Sequence, residues 1–79
     1  MQKYEELKRL LGKLFQKLYF PIGGEIDDIQ AIWMKFNEKY ALTMVTKKGY
    51  VTIDNNGEMI HQTESLEMVE SFYLNYFRY

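Results

Sequence analysis

This chain of 79 residues has no cysteine, one proline, one histidine and one tryptophan. Without cysteine there are no disulfides and no thiolate metal sites, two aids that chains of this size commonly enlist. A lone His61 leaves no histidine pair for a metal and no second imidazole for a proton relay. No apolar run approaches the roughly 20 residues that cross a bilayer. Residues 1–20 are amphipathic rather than signal-like, so the expected compartment is the cytoplasm and no membrane partner is expected. The chain opens on Met1 and reads as a complete small reading frame. Between Asp54 and Phe77 there is no Lys or Arg, while five acids stand there: Asp54, Glu58, Glu64, Glu67 and Glu70.

What is present is apolar and aromatic. The composition is 47% hydrophobic and 27% charged, too apolar for a disordered chain. Seven Tyr, five Phe and one Trp can pack a core that 79 residues would otherwise leave marginal. The length allows one domain. Net charge is −1, which hides five cations at Lys3, Lys8, Arg9, Lys13 and Lys17. They read as the solvated side and the C-terminal end of a helix, where cations match the helix dipole. Near-zero net charge gives little long-range attraction for a phosphate backbone.

Tyr4, Leu7, Leu11, Leu14, Phe15 and Leu18 recur at helical spacing, which predicts an amphipathic helix over about 2–19. Pro21 ends it, since the residue before a proline is pushed out of the α region. Gly23-Gly24 reads as a turn; no Lys-Ser/Thr follows it and no strand precedes it, so it is no phosphate cradle. Four strands follow, over about 29–36, 40–46, 50–54 and 58–62. Their turns are expected at Asn37-Glu38-Lys39, Lys48-Gly49 and Asn56-Gly57. The last is a strong type I′ hairpin signal, and it would set Ile53 opposite Ile60. A second helix is predicted over about 64–78, capped by Thr63, with Glu64 and Glu67 at its positive end. Leu66, Val69, Phe72, Tyr73, Tyr76 and Phe77 supply its apolar arc.

The expected fold is α+β, a single small domain of order α-β-β-β-β-α. Its four-stranded antiparallel meander carries both helices on one face, because neither helix can bury its stripe alone. The inward set is expected to be Ile32, Met34, Phe36, Leu42, Met44, Val51, Ile53 and Ile60. The other face would then carry Trp33, Thr43, Val45, Tyr50, Met59 and His61.

No constellation for chemistry emerges, so no catalytic, cofactor or metal residues are assigned. A triad would need Ser65 or Ser71 with His61, and both serines are explained by the start and the polar side of the last helix. Glu25, Asp27 and Asp28 are a solvated strand entry rather than a cation loop. Asp54, Asn56 and Glu58 mimic part of a calcium loop, but the Gly is at the wrong offset and a hairpin explains them.

Residues 49–77 hold Gly49-Tyr50-Val51-Thr52-Ile53-Asp54-Asn55-Asn56-Gly57, then Thr63-Glu64-Ser65-Leu66-Glu67 and an aromatic helix. This stretch resembles the closing part of bacterial immunity proteins of the SUKH type; no family is assigned. The likeness, the length and the lack of chemistry imply a small bacterial or phage accessory protein. Such a protein binds one larger protein and inhibits or modulates it, without enzymatic activity. The residues expected at the contact are Trp33, Tyr50 and Met59, with Met68 and Leu74 on the last helix as a second patch. Two alternatives stand beside it: single-stranded nucleic-acid binding through the Trp33 face near Lys35, Lys47 and Lys48, and self-association as a homodimer.

Overall fold

A computed structural model describes residues 2–18, 22–26 and 30–78, with the side chains of 3–16 and 30–78. The order is α1 (Gln2–Leu18), β1 (Ile22–Ile26), β2 (Ala31–Phe36), β3 (Lys39–Thr46), β4 (Gly49–Ile53), β5 (Met59–Thr63) and α2 (Leu66–Tyr76). The expected helix, four-strand meander and helix are all there. A fifth strand extends the meander at one edge, so the antiparallel sheet runs β1-β2-β3-β4-β5. That strand holds Gly23-Gly24, which pair with Met34 and Trp33 instead of turning. The stop at Pro21 and the acids Asp27 and Asp28 lie outside the described residues.

Both helices cover one face. Leu7, Leu11 and Leu14 from α1 meet Val69, Tyr73 and Phe77 from α2 over Ile32, Met34, Ala41 and Tyr50 of the sheet. In α1 the buried leucines fall three and four apart, on one side of the helix. Phe15, expected in the stripe, sits at its rim and is 40% exposed, while Leu10 packs on the core from the other rim. α2 begins two residues later than expected, because Ser65 rather than Thr63 is its N-cap. The Ser65 hydroxyl accepts from the Met68 N–H, and Thr63 Oγ1 accepts from the Ser65 N–H. No basic residue lies in the last turn of α2, and Lys39 of β3 supplies the missing cation by donating to the Tyr76 carbonyl at 2.7 Å.

The face assignment of β3 and β4 is inverted from the sequence expectation, and one turn explains it. The β2–β3 loop is two residues, Asn37-Glu38, with Phe36 paired to Lys39 and Asn37 at φ 56°. Asn tolerates that left-handed conformation. A three-residue turn would align Met34 with Leu42, but the shorter loop aligns it with Ala41. Since Ile32 and Met34 face the helices, so do Ala41, Thr43 and Val45. Leu42 and Met44 therefore turn to the open face, followed by their β4 partners Ile53 and Val51. Tyr50 and Thr52 move inward with Thr43, and His61 goes with them as the partner of Thr52.

The β4–β5 hairpin also departs from the expected type I′ turn. Neither Asn55 nor Asn56 has positive φ; Gly57 does, at 82°, and its N–H donates to the Asp54 carbonyl. Asp54 Oδ1 accepts from the N–H groups of Asn56 (2.8 Å) and Glu58 (3.0 Å), favouring this wider loop over a two-residue one. Ile53 consequently pairs with Met59, not Ile60. Ile60 is the extra residue of a bulge before His61 rejoins Thr52, and it still packs on the core. At the opposite end of β4, Gly49 (φ 105°) is buried, and a Cβ there would lie 2.6 Å from the Thr63 carbonyl oxygen. Only glycine lets β5 close onto β4 here.

Candidate functional site

The inner face is closed and partly polar. Thr43 and Thr52 are cross-strand partners, fully buried, with hydroxyls 2.8 Å apart. Tyr73 of α2 reaches down to them, its phenol 2.6 Å from Thr43 Oγ1. Burial pushes that phenol well above its ordinary range, opposed by the bond to Thr43, so it stays protonated. The chain of three hydroxyls satisfies itself and leaves nothing to offer a ligand. His61 stacks on Phe72 (centroids 4.6 Å, planes 14° apart), and Phe72 stacks on Tyr76 at 5.2 Å. Its Nδ1 is buried without a hydrogen-bond partner among the described residues, and burial lowers its pKa. Ser65 is occupied in its helix cap. Among the described residues, no three His, Cys, Asp or Glu side chains gather in a way that could hold a metal, and no helix is long and apolar enough to cross a membrane.

The outer face is where unassigned surface collects. Across four strands, Trp33, Leu42, Ile53 and Met59 form one row in register. The next row is Ala31, Met44, Val51 and Gln62. Seven of these eight residues are apolar, and no ionised group stands among them. Met59 is 60% exposed, Trp33, Met44, Val51 and Ile53 are half-buried, and Leu42 (8%) and Ala31 (0%) are buried. Beyond the first row, Tyr40 stacks on Trp33 with centroids 5.9 Å apart and planes at 20°, next to the exposed Lys35.

Of the five residues expected at the contact, Trp33 and Met59 share this face and the same row. Tyr50 does not: it is 2% exposed beneath the helices, where burial and the Glu6 carboxylate raise its pKa. Leu74 is also corrected, since it is half-buried and packs on the core from the flank of α2 rather than standing on a polar side. Met68 is 51% exposed but lies on the helical layer, away from the sheet face. Leu42, Met44, Val51 and Ile53, which the sequence places inward because their apolarity reads as core, join Trp33 and Met59 on this face. The signal that could have found them is loop parity: a two-residue Asn37-Glu38 loop fixes their face once Ile32 and Met34 are placed inward.

No family model matches this chain, and no curated protein or solved structure matches it significantly.

Proposed function

We propose that this chain is a non-enzymatic protein-interaction module of the cytoplasm that binds through the outer face of its sheet. The observation that carries the reading is the pair of apolar rows, Trp33-Leu42-Ile53-Met59 and Ala31-Met44-Val51-Gln62, on the face opposite both helices. Contiguous apolar residues on a sheet face away from the helices fit an interaction surface. Trp and Met are favoured at interface cores, and Trp33 is the natural anchor. Both expectations drawn from the sequence, a larger target protein and a second copy, put protein on this face. The test is a photo-crosslinking residue placed at Met44, with the same residue at the exposed Gln16 of α1 as control. Protein adducts from position 44 alone are expected; equal adducts from both positions, or none from 44, would sink the reading.

A second reading has one observation of its own. The Trp33–Tyr40 stack beside Lys35 offers aromatic faces and a cation, as single-stranded nucleic-acid binders do. Trp33 fluorescence titrated with an oligonucleotide tests it: affinity must be measurable and must fall as salt rises.

A further inference from the structure

We propose that the occupant of the outer sheet face is a second copy of this chain, packed sheet against sheet about a two-fold axis. The proposal rests on reading this face as an interaction surface and names its partner. Three observations support it.

Charge is the first. The two central rows contain no ionised side chain, and Lys35 at one end is the only charged neighbour on β2 and β3 of that face. Laying these two rows on themselves therefore buries no unpaired charge, the usual obstacle to self-association. With a net charge of −1 the copies scarcely repel.

Area is the second. The fold measures 32 × 25 × 23 Å and exposes 5254 Å². One side of such a body is about a sixth of that surface, about 900 Å², against about 800 Å² per partner in a standard-size interface. A side of that size is what a stable dimer needs.

Geometry is the third. A two-fold axis running across the strands, between the two rows, sets the Trp33 row of each copy on the Met44 row of the other. Large residues (Trp33, Leu42, Ile53) then face smaller or flexible ones (Ala31, Met44, Val51), as interdigitating sheets require. The same operation sends the two Lys35 side chains to opposite ends, so they do not meet.

The experiment measures the mass of the full chain by sedimentation velocity from about 1 to about 300 µM, a range wide enough to see micromolar dissociation constants. Mass should rise from 9.5 kDa to twice that value with concentration. The emission of Trp33, the only tryptophan, should shift to the blue in parallel. Met44→Lys and Val51→Lys should each weaken the dimer at least tenfold, with far-UV circular dichroism unchanged. Gln62→Lys adds the same charge at an exposed polar position of the same row, and keeps the test open should the other two fail to fold. A mass of 9.5 kDa at every concentration, or a dimer untouched by the folded lysine variants, overturns the second copy. If crosslinks from position 44 reach some other protein while the chain stays monomeric, the face stands and only its assigned occupant is wrong. If no adduct forms there at all, both fall.

Discussion

The two faces of the sheet differ most at their middle. The face under the helices holds Ala41, Thr43 and Thr52 at its middle, while the open face holds Trp33, Leu42, Met44, Val51 and Ile53. The helices bring the bulk: Leu7, Leu11 and Leu14 from one, Tyr73 and Phe77 from the other. Large helix side chains need small sheet residues beneath them to reach native density, and the threonine hydroxyls give the Tyr73 phenol a partner. Both faces carry apolar residues, and the helices cover only one of them. Apolarity states how strongly a face wants cover, not whether its own chain supplies it.

Substitutions can break or sharpen this contrast, and the largest effects belong to the closed side. Leu11→Ala should cost roughly 2–5 kcal/mol in urea unfolding, because Leu11 is 2% exposed between both helices and the sheet. A loss below about 1 kcal/mol would mean that α1 is peripheral. Tyr73→Phe comes next, at about 1–1.5 kcal/mol, since it removes one hydrogen bond while Thr43 and Thr52 keep each other. A neutral outcome would remove the polar network as the reason for the inner threonines. On the open face, Met44→Lys and Val51→Lys should change the stability of the monomer, measured in dilute solution, by less than about 1 kcal/mol. Losses as large as that of Leu11→Ala would make the outer rows part of the core and erase the contrast.

The smallest expected effect is on pH. His61 is the only histidine, and its pKa is lowered in the folded state by burial against Phe72. As pH falls through the ordinary imidazole range near 6.5, the unfolded chain takes up a proton before the folded one does. The stability contributed by neutral His61 is therefore present above that range and is lost as pH drops below it. A shallow decline in unfolding free energy over this window should flatten in His61→Phe. An equal slope in the variant would show that His61 is not its source.

The parts of this fold that were legible in the sequence rest on local chemistry. The leucine period of α1, the aromatic period of α2 and the Gly-bearing turns specify their elements whatever surrounds them. Trp33 could be set outward because β2 has one clearly apolar phase, Ile32-Met34-Phe36. β3 reads Tyr40-Ala41-Leu42-Thr43-Met44-Val45, and both of its phases carry apolar residues, so alternation alone could not choose between them. Half of the candidate surface was hidden by that ambiguity. β1 escaped notice for a different reason: Gly23-Gly24 has a turn's composition, and pairing with β2 overrides it.

The sequence by itself determined that the chain makes two amphipathic helices and an antiparallel meander, because periodicity, caps and turn residues act within a few positions of one another. Tertiary structure alone decided which face of β3 and β4 meets the helices. The length of one loop sets strand parity, and the bulk of Tyr73 and Phe77 demands the small residues opposite them. By closing over Thr43 and Thr52, the helices left Leu42, Met44, Val51 and Ile53 without cover from the two helices of their own chain.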